Sequence, residues 1–308
     1  MKTSRGLSAE FMNELLNGFL TPILKLVQND DTLSLQIRND YLNIYYRGGN
    51  ILKLTRKNNS YLTHFENKYS TDKIKMNLPN LISIKEDSNR WAENIPLLKQ
   101  IMDIYFTKHS KSEREFQQLV ARENNNSIIS NDTDYFITDL EYSSTNSRFD
   151  LIGIKWKSSS SKRKNVHHCQ LILIEMKYGD AALGGTAGIK KHLDDIEKFC
   201  GDTTKLENLK EETISAFKQL RELDLIQFGD KGNNHQIEQL RNEKPEFIFL
   251  FANHKPAKGK LSSEFQNILD INNADVRIAT ANFMGYGLYH QNMLTIEEFK
   301  KIHLHREL

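Results

Sequence analysis

Residues 171–177 read LILIEMK, and the interpretation of the whole chain starts from this stretch. Four apolar residues lead into Glu175, and Lys177 follows two positions later. Such an apolar run is typical of a buried strand, and residues i and i+2 of a strand project from the same face. The pattern therefore predicts a buried strand that carries a carboxylate and an ammonium side by side near its end.

A second acidic residue lies in the strand predicted before this one. The segment SRFDLIGI, residues 147–154, places Asp150 within an apolar run. A lone carboxylate is costly there unless a partner or a metal ion compensates its charge. A loop rich in Ser, Lys and Arg joins the two strands, as in a hairpin at the surface. We therefore expect Asp150 and Glu175 to be neighbours across a hairpin.

Two converging carboxylates beside a lysine suit the hydrolysis of phosphodiesters. Mg²⁺ takes oxygen ligands and keeps several waters, and Mn²⁺ suits the same ligands. The ion neutralises charge that develops on the phosphate and lowers the pKa of a water, while a lysine can orient that water. The three residue types that this chemistry needs are present at Asp150, Glu175 and Lys177.

These residues carry a resemblance to a known family. Asp150, then Glu175-Met176-Lys177 after an apolar run, with an acidic helix upstream, resembles the PD-(D/E)xK nuclease superfamily of restriction, repair and recombination enzymes. The resemblance covers residues 111–290 as a pattern of elements and only a few positions as a motif. It implies a restriction-endonuclease-like core in the order helix, three strands, helix, strand. It also implies that Asp150, Glu175 and the Met176 carbonyl bind Mg²⁺ or Mn²⁺, and that Lys177 is catalytic.

The resemblance extends to further positions. Members of the family carry an acidic residue on the helix before the strands. By the resemblance this catalytic residue would be Glu115, with Glu113 as the alternative, because both lie in SEREFQQL. Gln219 would correspond to a polar residue that some subfamilies place near the phosphate on the second core helix. Phe149 stands where the family name has a proline, a departure that is common in such proteins.

Basic residues of the hairpin loop could bind nucleic acid. Lys155, Lys157, Lys162, Arg163 and Lys164 could follow a phosphate backbone, since such contacts give affinity without reading sequence. A solvated surface turn would explain the same residues equally well.

Histidines and cysteines near the motif suggest other roles. His167, His168 and Cys169 suggest zinc, but a tetrahedral site needs a fourth ligand at a defined spacing, and the sequence offers none. His192 follows on the next predicted helix, where it could approach the site or lie on the helix surface. Cys169 and Cys200 form no CxxC pair, so no disulfide framework is indicated.

The chain as a whole is predicted to be an α/β (α+β) protein with two parts. Residues 1–108 show a long helical pattern from 8 to 27, bent at Pro22, then three alternating runs of an antiparallel meander and another helix. We expect this N-terminal α+β unit to serve target recognition or partner binding. Residues 109–308 are predicted to form the nuclease-like domain, a restriction-endonuclease-like mixed sheet flanked by helices. Its strands are predicted in YFITDLEY, SRFDLIGIKWK, CQLILIEMKY, EFIFLFA and DVRIATANF.

Composition adds few constraints. The chain has 308 residues, a net charge of +2 and a pI near 8.3, too balanced to indicate a polyanionic partner by itself. No apolar run approaches the roughly 20 residues of a membrane span. Only two cysteines are present, which fits a reducing compartment. A cytoplasmic protein without membrane contact is expected.

The leading hypothesis is thus a Mg²⁺-dependent endonuclease that hydrolyses DNA, in bacterial defence or mobile-element biology. A homodimer is a fair expectation, because enzymes that cut both strands often use two copies. One alternative is a catalytically silent module of the same fold that binds nucleic acid or protein. Another is an interaction protein in which the E-x-K match is accidental and Asp150 is exposed or pairs with Lys177 alone.

Overall fold

The computed structural model describes residues 5–70, 77–126, 132–144, 147–156, 158, 169–179, 182–185, 188–226, 237–252, 260–266, 268–281 and 285–303. By their contacts, the residues divide into two compact units, 1–118 with 215–227 and 119–214 with 228–308. The predicted boundary after residue 108 lies near the first division. Residues 215–227 were predicted to belong to the second part but group with the first unit.

The first unit begins with two short helices, α1 (Ala9–Leu16) and α2 (Thr21–Gln28). Ser8 caps α1 by accepting a hydrogen bond from the amide of Phe11. The single bent helix expected here is wrong. Pro22 lies in the first turn of α2, where its missing N–H is harmless, whereas inside a helix it would remove a hydrogen bond and clash with the preceding turn.

The sheet of the first unit is an antiparallel meander in sequence order, which confirms the predicted hairpins. Its strands are β1 (Leu33–Ile37), β2 (Tyr41–Tyr46), β3 (Gly49–Lys57), β4 (Ser60–His64) and β5 (Leu81–Ile82). The last two were not expected, because the sequence becomes polar after Asn58. Asn58 itself takes a positive φ of 56°, as the tight turn between β3 and β4 requires. Helix α3 (Lys85–Lys108) follows, and then α4 (Ser112–Asn125) begins.

The second unit is built on a mixed sheet with the strand order β10-β9-β8-β7-β6. Strands β6, β7 and β8 are antiparallel neighbours, whereas β9 runs parallel to β8, and β10 runs parallel to β9. All five strands were predicted: β6 (Tyr135–Ser144), β7 (Ser147–Lys155), β8 (Gln170–Tyr178), β9 (Glu246–Ala252) and β10 (Asp275–Ala281).

Helices fill the connections of this sheet. Between β8 and β9 the described residues form α5 (Ile189–Gly201) and α6 (Thr203–Glu222), and α7 (Lys260–Phe265) and α8 (Ile296–His303) come later in the chain. Every residue of β9 is buried, as expected for a strand covered on both faces. Together the two units confirm a mixed helix-and-sheet protein. No helix among the described residues is long and apolar enough to cross a membrane.

Candidate active site

The hairpin of β7 and β8 brings Asp150 to the end of β8 that carries Glu175. Leu151 pairs with Ile174 in the antiparallel ladder, so one further step of the same register places Asp150 opposite Glu175. Paired residues of neighbouring strands project from the same face. Asp150 also accepts a hydrogen bond at Oδ2 from the amide of Met176, over 2.8 Å. The register and this bond together fix the Asp150 carboxylate against the end of β8.

The same bond indicates where the Met176 carbonyl points. The N–H and C=O groups of a strand residue face the same neighbouring strand in an antiparallel ladder. Because the N–H of Met176 faces Asp150, its carbonyl oxygen faces that side as well. The backbone oxygen and the carboxylate therefore lie at the same edge of β8.

Glu175, Lys177 and His192 form a closed triangle of polar atoms. Lys177 Nζ lies 2.8 Å from Glu175 Oε1 and 2.9 Å from His192 Nε2, and the latter two atoms are 3.0 Å apart. The side chains of Glu175 and Lys177 are 8% and 7% exposed, and that of His192 is 22% exposed. The charges of Glu175 and Lys177 are largely buried, so each stabilises the other.

The loop after β8 aims α5 so that His192 reaches this pair. Gly185 takes a positive φ of 80°, and its carbonyl accepts a hydrogen bond from Gly188. A side chain on Gly188 would meet the carbonyl oxygen of Leu183 at 2.7 Å, so the loop needs glycine there. Helix α5 begins at the next residue, and His192 lies in its first turn. Its buried apolar face anchors the helix through Ile189, Leu193, Ile196 and Phe199.

Glu175 and His192 open into a cavity of about 620 Å³ within the second unit. Phe149, Ile196 and Phe199 contribute apolar walls, and Phe149 packs edge to face with Phe199. Four cationic side chains also line the cavity: Arg148, Lys191, Lys198 and Lys205. The buried carboxylate thus borders a space that is apolar inside and carries basic side chains.

Two of the other predicted site residues are engaged within the first unit. The carboxylate of Glu115 accepts hydrogen bonds from Arg47 at 2.8 and 3.2 Å. The amide of Gln219 forms two hydrogen bonds with the main chain of Leu7, at 2.9 and 2.8 Å. Both side chains therefore have structural partners, and the roles near a metal or a phosphate that the resemblance implies for them stay predictions.

The remaining predicted residues belong to the hairpin loop or to possible metal sites. Lys157, Lys162, Arg163 and Lys164 lie outside the described residues, as do His167 and His168. Cys169 and Cys200 are buried, and burial raises the pKa of each thiol to about 12. In the part of the chain that the structure describes, no three His, Cys, Asp or Glu side chains group to hold a metal ion. The predicted Mg²⁺ site thus depends on two carboxylates and a backbone oxygen.

A second buried lysine–glutamate pair was not predicted. The expectation that Lys155 is a loop residue available to a phosphate backbone is wrong, because Lys155 ends β7 and is buried against Glu246. Glu246 is only 1% exposed, and it accepts hydrogen bonds from Lys155 at 2.6 Å and from Tyr135 at 2.5 Å. His290 Nδ1 lies 3.0 Å from Lys155 Nζ, and Arg277 Nε lies 3.9 Å from Glu246. The available signal was Glu246 itself, a charged residue that opens the apolar run EFIFLFA.

This second cluster lies on the other face of the sheet. Lys155 pairs with Gln170, and Glu246 pairs with Ile172, so both share a face with the even-numbered residues of β8. Glu175 is odd-numbered and projects from the opposite face, because side chains alternate along a strand. The sheet therefore carries one polar cluster on each face.

Comparison with known proteins adds nothing to these observations, because no family model, no curated protein and no solved structure matches the chain.

Proposed function

We propose that the protein is a metal-dependent nuclease that hydrolyses DNA phosphodiesters as an endonuclease. The observation that carries the proposal is the Asp150 carboxylate held at the amide of Met176, directly after Glu175, with Lys177 bonded to Glu175 and a cavity lined by basic side chains beside Glu175. A catalytically silent binding module would have no need for both carboxylates and the lysine at one spot. A homodimer would place two such sites on one duplex.

The order of elements supports the proposal. Helix α4, the antiparallel strands β6, β7 and β8, the connecting helices and the parallel strand β9 follow one another as a restriction-endonuclease-like core would have them. In that arrangement the aspartate lies on the second strand and the E-x-K triplet on the third, which are β7 and β8 here.

The donor atoms fit a hard divalent cation. Asp150, Glu175 and the Met176 carbonyl offer only oxygen, which Mg²⁺ and Mn²⁺ accept, and each carboxylate can accept at several lone pairs. These three residues would hold the ion. When bound, the ion would supply positive charge for the phosphate and a water of lowered pKa.

Side chains of the protein would stabilise the developing charge and attract the substrate. The ammonium of Lys177 lies close enough to Glu175 to move between that carboxylate and a phosphate oxygen, where it would stabilise developing negative charge. Arg148, Lys198 and Lys205 would attract the phosphate backbone to the cavity, since such contacts give affinity without sequence preference. The apolar walls would limit the entry of bulk water.

The test is cleavage of plasmid and linear DNA in Mg²⁺, Mn²⁺ or EDTA, with wild type, Glu175→Gln and Glu246→Gln. The two substitutions remove the same charge beside a lysine on opposite faces of one sheet. We expect metal-dependent cleavage, measured per folded protein, that falls by about 10²–10³-fold in Glu175→Gln and stays near wild type in Glu246→Gln. Equal cleavage by all three proteins would indicate a contaminant. DNA binding without cleavage by wild type would favour the binding module.

A further inference from the structure

The ammonium of Lys177 lies within hydrogen-bond distance of Glu175 Oε1 and of His192 Nε2. It can donate a hydrogen bond to His192 Nε2, 2.9 Å away, only if that nitrogen carries a lone pair. A neutral imidazole with its proton on Nδ1 meets this condition, and its Nε2 then has no hydrogen to give to Glu175. In this tautomer, Glu175 Oε1 and His192 Nε2, 3.0 Å apart, are two acceptors that both lie within hydrogen-bond distance of Lys177 Nζ.

The spacing of these two acceptors also suits a metal ion. Neighbouring ligand atoms at about 2.1 Å from an octahedral ion are separated by about 3.0 Å. The distance between Glu175 Oε1 and His192 Nε2 is 3.0 Å. Two protein ligands are enough for such ions, which complete their shell with waters and substrate oxygens.

We propose that Glu175 and His192 form a cation position that the Lys177 ammonium occupies when no metal is bound. His192 is then a further metal ligand, outside the acid–acid–lysine pattern, and Lys177 competes with the metal. This inference rests on the proposed nuclease function. A phosphate that draws Lys177 away would open the position, so nucleic acid and metal would promote each other's binding, as linkage requires.

An imidazole ligand also changes which ion is preferred. Nitrogen ligands favour transition metals, whereas Mg²⁺ prefers oxygen alone. With His192 as a ligand, the site should prefer Mn²⁺ over Mg²⁺. This preference, measured as the ratio of the two affinities, should be larger than that of a site with oxygen ligands alone.

Binding of Mn²⁺ and of Mg²⁺ to the full chain, measured by isothermal titration calorimetry without nucleic acid, tests the proposal. Lys177→Met should bind Mn²⁺ about tenfold or more tightly than wild type, because a positive charge at the ion's position is gone. The matched control is Lys191→Met, which removes a lysine of the same cavity that pairs with Asp195. It should bind like wild type. Unchanged or weaker binding by Lys177→Met would overturn the competition.

A second variant keeps the proposal testable if Lys177→Met folds poorly. His192→Gln should lower Mn²⁺ affinity about tenfold and reduce the preference for Mn²⁺ over Mg²⁺. An unchanged preference would show that His192 is not a ligand. Glu175→Gln should abolish binding of both ions. These readouts do not depend on cleavage, so a wild type that binds Mn²⁺ as expected but cuts no DNA would refute the proposed function and leave the cation position intact.

Discussion

The two faces of the second sheet carry the same kind of cluster in different surroundings. On one face Glu175 pairs with Lys177, and on the other Glu246 pairs with Lys155. A histidine touches the lysine in both, His192 in the first and His290 in the second. The shared chemistry shows that a buried lysine, glutamate and histidine do not by themselves identify an active site.

The clusters differ in what else surrounds the glutamate. Glu246 has Tyr135 as a second donor and Arg277 nearby, and its side chain is 1% exposed. Glu175 borders a cavity, and a second carboxylate, Asp150, is bonded to the amide of the next residue, Met176. Donors surround Glu246 on several sides, which suits a structural role. Glu175 adjoins open space and another acid, which suits the binding of a cation or a substrate.

The largest expected difference concerns stability. Lys155→Met should lower the free energy of unfolding by about 3–5 kcal/mol, because Glu246 would stay buried without its lysine. Lys177→Met should cost about 1–3 kcal/mol, because Glu175 borders a cavity from which water can solvate it. Urea unfolding of both variants measures this, with wild type as the reference. Equal losses would mean that the cavity does not distinguish the two clusters.

A smaller effect should appear at high pH. Burial, followed by the charge and hydrogen bond of Glu246, raises the pKa of Tyr135 above its usual range. The unfolded state therefore loses this proton first, so the contribution of Tyr135 is complete below pH about 10 and declines as the pH rises further. Tyr135→Phe should flatten the decline by about 1.4 kcal/mol per pH unit above that point. Urea unfolding at several pH values checks this, and parallel curves for the two proteins would contradict it.

The smallest effect concerns the basic side chains of the cavity. Lys198→Gln should weaken DNA binding and reduce the slope of log affinity against log salt by about 1, as loss of one phosphate contact does. Lys190→Gln is the matched control, because Lys190 is exposed on the same helix and does not line the cavity. Fluorescence anisotropy with EDTA, between about 50 and 200 mM salt, gives both slopes. Equal slopes for the two variants would remove Lys198 from the interface.

Local pattern was sufficient to predict the strands of the second unit and the pairing of β7 with β8. LILIEMK and EFIFLFA are apolar enough to be read as buried strands, and the hairpin placed Asp150 near Glu175. In the first unit, β4 was not predicted, because its alternation of apolar and polar residues lies within a polar stretch of sequence. The break between α1 and α2 was underestimated because a proline can either bend a helix or start one.

The cluster residues distant in sequence could not be predicted in the same way. His192 lies 15 residues after Lys177, on a different element, and the two meet only in the folded chain. Glu246 and Lys155 are 91 residues apart, and they meet only through the strand order of the sheet. No periodicity in the sequence encodes such contacts, since they depend on how the strands are ordered.

The discontinuous first unit limits how this protein can be divided. The segment 215–227 belongs to the first unit although it lies between β8 and β9 in the chain. Its side chains Ala216, Phe217, Leu220 and Leu223 are buried, and its Gln219 is bonded to Leu7. A fragment that starts at residue 119 would carry this apolar segment without the residues that its unit supplies. Neither unit can therefore be exchanged between proteins as a continuous cassette, and recombination that kept both intact would have to transfer the whole interleaved chain.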